Sequence, residues 1–289
     1  MMMRNADKYA VAVRKTDGEI VVKTEEYKGI VQNKKIRSLP IIRGVFSFID
    51  SMVLGMSTLT YSASFFMDEE EEEKDEKKES VMMGLTIACS VVMAVAIFMI
   101  LPYFLSQLFR KFTDSTTLIT LLEGAVRLVI FFGYILLISR MKDIQRVFMY
   151  HGAEHKCINC IEHGMELNVE NVLKSSRLHK RCGTSFLFIV MIVSIIFFLF
   201  IRIESPIWRV VFRLLLIPVI AGVSFEFIRL AGKSENKLVI LLSKPGMMLQ
   251  KLTTREPDAS MAEVAIASVE AVFDWRAYLK ENFGWQEKV

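Results

Sequence analysis

The stretch YHGAEHKCINC (150–160) places two histidines, two cysteines, a glutamate and a lysine in one short segment. All of the chain's histidines fall between His151 and His179, and Cys157, Cys160 and Cys182 fall in or beside the same window. Imidazole and thiolate are the usual ligands of zinc and related divalent transition metals, and a carboxylate beside an open coordination position can take a proton from water. Helical phase decides which of these groups can reach one ion. The spacing of Val147, Tyr150, Ile158 and Ile161 allows a helix through 146–162. On it His151 and His155 stand about 40° apart, with Glu154 about 60° to the other side and Cys160 nearly opposite.

Two site readings follow. In the first, His151-x-x-Glu154-His155 is an inverted zincin arrangement in which two histidines hold the metal and Glu154 is the general base. His179-x-x-Cys182 then supplies one or two further ligands. In the second, Cys157-x-x-Cys160 and His179-x-x-Cys182 form a closed structural zinc knuckle. The knuckle needs a turn at 157–160, where the sequence has no glycine or proline, although Asn159 would help one. A third reading, polar surface that binds nothing, has to gather every histidine into one window by chance. From the residues alone the first two stand level.

Composition places this window at a membrane. The chain of 289 residues is 53% hydrophobic with mean hydropathy +0.38, too apolar for an ordinary soluble domain. Residues 81–105 and 184–201 carry no charge, and each is long enough to cross a bilayer as helix. Residues 117–139 and 206–231 are apolar but charged near their ends. Glu123 and Arg127, four apart, can pair on one face, while Arg209, Arg213, Glu226 and Arg229 either snorkel or line a polar path. The basic 140–183 connection, the basic first forty residues and the lysines after Gly232 all belong in the cytoplasm by the positive-inside rule. Four spans satisfy that rule. Residues 41–67 are therefore expected to be a re-entrant or interfacial helical segment.

The expected architecture is an all-α polytopic membrane protein of the bacterial cytoplasmic membrane, with about four transmembrane helices and both termini cytoplasmic. A cytoplasmic β unit (1–40) comes first, with YAVAVRK and IVVKTEEY flanking an Asp-Gly turn. The segment 41–67 and an acidic linker (68–80) lead to a helix pair (81–139). The His/Cys loop (140–183), a second helix pair (184–231) and an amphipathic helical tail (232–289) complete the chain. The stretch at 258–279 has helical amphipathicity suited to a membrane or a partner. No cleavable signal peptide is expected, because MMMRNADKYA lacks a hydrophobic region after its charges. In a reducing compartment the cysteines favour thiolate chemistry or metal ligation over disulfides. A net charge of +4 and the lack of any nucleic-acid motif argue against nucleic acid.

YHGAEHK (150–156), LNVENVLKSSRLHKRCGTSFLFIVMIVS (167–194), LIPVIAGVSFEFIRLAGK (216–233) and LTTREP (252–257) together resemble the YqhQ-like family. That family consists of multi-pass bacterial membrane proteins described as predicted metal-dependent enzymes. The resemblance implies roles for His151, Glu154, His155, Lys156, His179, Arg181, Cys182 and Gly183. The family commonly lacks cysteine at positions 157 and 160, which favours the His/Glu reading. Family members usually open with a GGQAVIEGV-like stretch, whereas this chain begins MMMR.

The resulting expectation is a site for Zn²⁺ or another divalent transition metal, with ligands His151, His155, His179 and Cys182, and Glu154 as catalytic base. Lys156, Cys157, Cys160, His163 and Arg181 are neighbours that would support those ligands or replace them. The activity expected is hydrolysis of an unspecified substrate at the membrane surface. The alternative is an oligomeric membrane-organising protein with a structural metal, a transporter being less favoured. Membrane lipids and further copies of the chain are the expected partners.

Overall fold

The computed structural model describes residues 1–66, 76–180, 182–201, 203, 205–232 and 236–286. Most of the acidic linker, 68–75, lies outside them, as does Arg181. The architecture is mostly helical, with a small three-stranded sheet at the N-terminus. Five helical stretches are long and apolar enough to cross a membrane: Ile42–Ser64, Val81–Lys111, Thr116–Ile138, Gly183–Phe200 and Ile207–Ala231. Four coincide with the expected spans, and the fifth is the segment read as re-entrant or interfacial.

The sheet is antiparallel in the order β1 (Met2–Asn5), β2 (Lys8–Arg14), β3 (Ile20–Glu26). Its β2–β3 half is the hairpin expected around Asp17 and Gly18, the glycine taking φ +93°. Strand β1 pairs Met2 with Val11 and is an addition to that hairpin. Both faces of β2 are buried. Tyr9, Val11 and Val13 pack with Leu54 and Tyr61 of α2 (Ile42–Ser64) and with Phe65, the residue that caps it. Ala10 and Ala12 alternate to the opposite face, where their small size admits a late helix of the chain, α11 (Ala259–Glu270).

A short α1 (Lys34–Ser38) precedes α2. One side of α2 exposes Ile42, Ile49, Met52, Val53 and Met56, while Gly44, Asp50, Leu54 and Thr58 are buried. The contacts of its buried side are shared among three partners. Gly44 meets Gly222 and Phe225 near the end of α9 (Pro206–Ala231), where a side chain on either glycine would clash. Arg43 pairs with Glu226 on the same helix. Phe48 stacks on Phe186 in the first turns of α8 (Gly183–Phe200), and Asp50 accepts from the Tyr27 hydroxyl and the Ile30 amide. All of these contacts lie at the end of the bundle that carries the sheet.

At the other end the charges of the apolar helices meet. Helix α3 (Glu76–Val95) continues through a π turn (Ala96–Ile100) into α4 (Leu101–Gln107), and α5 (Thr116–Ile138) follows. Pro102 has no N–H to give the carbonyl four residues earlier, that of Phe98. Arg127 of α5 supplies the missing donor, its Nε 3.0 Å from the Phe98 oxygen. The same guanidinium reaches Ser194 of α8 at 3.0 Å and Glu123 at 2.8 Å. Glu123 also takes both terminal nitrogens of Arg213 from α9, at 2.5 and 2.9 Å. Glu123 and Arg127 thus pair as their spacing suggested, and the pair is buried between helices rather than snorkelling outward.

The remaining helices are α6 (Lys142–Glu162), α7 (Val169–Lys174), α10 (Lys237–Thr253), α11 and α12 (Trp275–Phe283). The segment expected at 258–279 is two helices capped by Asp258 and Asp274, whose carboxylates accept the Met261 and Ala277 amides. Its apolar face is spent within the chain: Ala262, Ala265, Val269, Trp275 and Leu279 form one core with Ala153, Cys157 and Cys160 of α6. The His/Cys connection is therefore a packed helical layer and not an open loop.

Replacing Glu123 by Ala leaves two guanidiniums in the bundle without their carboxylate. The expected loss is about 3–5 kcal/mol, measured by unfolding in detergent. A change below about 1 kcal/mol contradicts the view that this network joins α5, α8 and α9.

Candidate metal centre

Helix α6 runs unbroken through YHGAEHKCINC, so helical phase sorts its side chains. His151, Glu154, His155 and Ile158 line a cavity of about 370 Å³ together with His179, Cys182 and Gly183. Cys157 and Cys160 point the other way, into the core shared with α11 and α12, and are fully buried. Burial pushes the Cys160 thiol up to about 11 and the Cys157 thiol higher still. The Cys160 sulfur is 3.3 Å from the Glu166 carbonyl. The knuckle of Cys157, Cys160, His179 and Cys182 is therefore not assembled.

The atoms that do converge belong to His151, His155 and Cys182, one ligand atom from each lying within 4.8 Å of the others. His151 Nε2 is 3.1 Å from the Cys182 sulfur. Its Nδ1 is 2.9 Å from the Thr253 carbonyl, and His155 Nδ1 is 2.7 Å from the Arg177 carbonyl. A carbonyl can only accept, so each Nδ1 carries a proton, and in the neutral ring the lone pair is left on Nε2. Metal-binding imidazoles are oriented in this way. Cys182 caps the N-terminus of α8, its sulfur accepting the Thr184 amide. Two imidazoles and a thiol are a donor set that fits zinc.

Glu154 shares the cavity and completes the HxxEH pattern. Desolvation pushes its carboxyl above the usual range, against the pull of His151. His179 lines the same cavity with its Nε2 3.2 Å from Glu162. His163 is exposed at the end of α6, bonded to the Asn159 carbonyl, and is not among the cavity-lining residues.

The supporting contacts explain the rest of the motif. Lys156 is buried, donates to the carbonyls of Leu173 and Ser175 at 2.8 Å, and pairs with Glu256 at 2.9 Å. Asn159 donates to the carbonyls of Ser176 and Leu178. Together they draw the 173–178 segment onto α6 and present the Arg177 carbonyl to His155. Gly152 is required by the close passage of the LTTREP segment: a Cβ there would lie 2.1 Å from the Arg255 carbonyl. That crossing, fixed by the Arg255 amide on the Phe148 carbonyl at 2.9 Å, brings the Thr253 carbonyl to His151. Thr254 follows the end of α10, and Glu256 adds charge beside Lys156 and Arg177.

Sequence reasoning missed Gln250, which is fully buried and binds the backbone of His179 on both sides while donating to Ser185. It also missed the two orienting carbonyls, which have no side-chain signature. The Gly152 crossing yields a direct expectation. Gly152→Ala should destabilise the protein by about 1–3 kcal/mol or more, whereas Gly133→Ala, where nothing lies within 4 Å, should be near neutral. Equal unfolding temperatures for the two variants contradict the tight crossing.

A family model described as protein of unknown function (DUF1385) matches residues 39–275. An uncharacterized protein, YqhQ of Bacillus subtilis (strain 168), is 34% identical over 285 residues, covering 95% of this chain and 89% of that protein. No solved structure matches the chain. The region that the family model matches contains the converging ligands and their orienting carbonyls and runs from just before α2 to the start of α12, and on these grounds the chain belongs to the DUF1385, YqhQ-like family.

Proposed function

We propose that this protein is a bacterial cytoplasmic-membrane hydrolase whose centre, on the cytoplasmic side, holds a divalent transition metal, zinc by its donor set. The observation that carries the reading is the pair of Nδ1-to-carbonyl hydrogen bonds, which leaves two Nε2 lone pairs beside the Cys182 sulfur. A metal bound there supplies Lewis acidity to a water or a substrate oxygen. Glu154 takes the proton from the attacking water, and its desolvated position suits a base that must later give the proton back. The Thr253 and Arg177 carbonyls keep both imidazoles in the ligating tautomer. Cys182 begins an apolar span, which favours a substrate presented at the membrane boundary.

The contacts of α2 support placing that helix along the same boundary. Its exposed apolar side then faces lipid, and four helices cross.

Metal content separates this site from its rival. Elemental analysis of the purified protein is expected to show metal in the wild type and in Cys160→Ala, and to show its loss in His151→Ala. A metal-free wild type, or retention in His151→Ala with loss in Cys160→Ala, overturns the assignment. Glu154→Gln should keep metal and fold while lowering turnover about 10²–10⁴-fold, read as failure to complement a strain lacking the gene. Full complementation by Glu154→Gln makes the metal structural.

A further inference from the structure

A second concentration of buried charge lies at the end of the bundle far from Cys182, where Arg127, Arg209, Arg213 and Glu123 meet. Three guanidiniums face one carboxylate, and among the described residues no second carboxylate lies within ion-pair distance of them. Arg209 spends its donors on the Ile203 carbonyl and, at 3.5 Å, on the Tyr103 hydroxyl. The Phe198 ring lies under Arg127 and Arg213, and the Tyr103 ring under Arg209 and Arg213. These neutral partners satisfy hydrogen bonds, and among the described residues the layer keeps two more positive charges than carboxylates, Arg209 at its half-buried edge and the other guanidiniums inside the bundle, where an uncompensated charge is strongly unfavourable. One buried nitrogen of the layer has no acceptor among the described residues: the Nε of Arg213, a residue 3% exposed.

Charge, donors and position agree on what is missing. Arg209 is half-buried in the first turn of α9, so the layer is reached from that end of the bundle. Tyr103 stands between Arg209 and Arg213, with its hydroxyl beside the former. We propose that this layer binds a phosphate-type oxyanion, held by Arg209, the Tyr103 hydroxyl and Arg213 Nε, and supplied by a phospholipid headgroup or by free phosphate. Guanidinium is the side chain best matched to such an anion, and the stacked rings hold all three in place. The site is independent of the metal centre.

The test uses the full-length protein in neutral detergent. Binding of phosphatidylglycerol, phosphatidylcholine and inorganic phosphate is followed by native mass spectrometry and by the unfolding temperature. Phosphatidylglycerol is expected to bind and stabilise, and Arg209→Gln to weaken it about tenfold, the loss of one charge-assisted hydrogen bond. Lys111→Gln, an exposed cation at the same end, is expected to leave binding unchanged. Binding of inorganic phosphate with the same dependence on Arg209 assigns the site to the free anion; binding of lipid alone assigns it to the headgroup. Equal binding of phosphatidylcholine, which carries the same phosphodiester, assigns recognition to the phosphate and not to the rest of the headgroup; the proposal is overturned if neither lipid nor inorganic phosphate binds, or if Arg209→Gln and Lys111→Gln behave alike. Should Arg209→Gln fail to fold, Tyr103→Phe, which keeps the ring and every charge, is measured in its place with the same direction expected.

Discussion

Two backbone carbonyls decide what the His/Cys window can do. Thr253 and Arg177 each accept an imidazole Nδ1 proton, and without them His151 and His155 would be free to turn or to change tautomer. Each carbonyl is held in turn by contacts that look purely structural. Lys156 and Asn159 gather the 173–178 segment onto α6, Gly152 admits the LTTREP crossing, and Gln250 ties His179 to α10. The sheet and the last two helices bury the opposite side of α6, which fixes the helix that bears both histidines and Glu154.

Helical phase made much of this legible in the sequence. The spacing from Tyr150 to Ile161 required that His151, Glu154 and His155 face away from Cys160, and they do. The apolar runs marked the long helices, and the Asp-Gly turn marked the β2–β3 hairpin. Contacts made through the backbone were not legible, because a carbonyl has no residue signature: nothing in Thr253 or Arg177 announces an imidazole partner. The pairing of β1 was hidden for a related reason, since Met2–Asn5 is too short to show alternation.

Amphipathic segments were the other blind spot. Periodicity shows that Ala259–Glu270 has an apolar face but not what covers it, and the cover is α6 and the sheet, not a membrane or a partner. The charges at Glu123, Arg127 and Arg213 carried a similar ambiguity. Spacing revealed the intrahelical pair; that Arg213 and the Phe98 carbonyl converge on it is set by neighbouring helices, one of which carries Pro102 four residues after Phe98. The molecule thus has two polar centres, one at each end of an apolar bundle, built from different chemistry.

X-ray absorption at the metal edge of the purified wild-type protein tests the central assignment most directly, because it counts ligands by element. The account predicts one sulfur at about 2.3 Å and imidazole nitrogens at about 2.0–2.1 Å, with the remaining position filled by oxygen or nitrogen. A first shell with two or three sulfurs would require Cys157 or Cys160 at the metal and would contradict the site built from His151, His155 and Cys182.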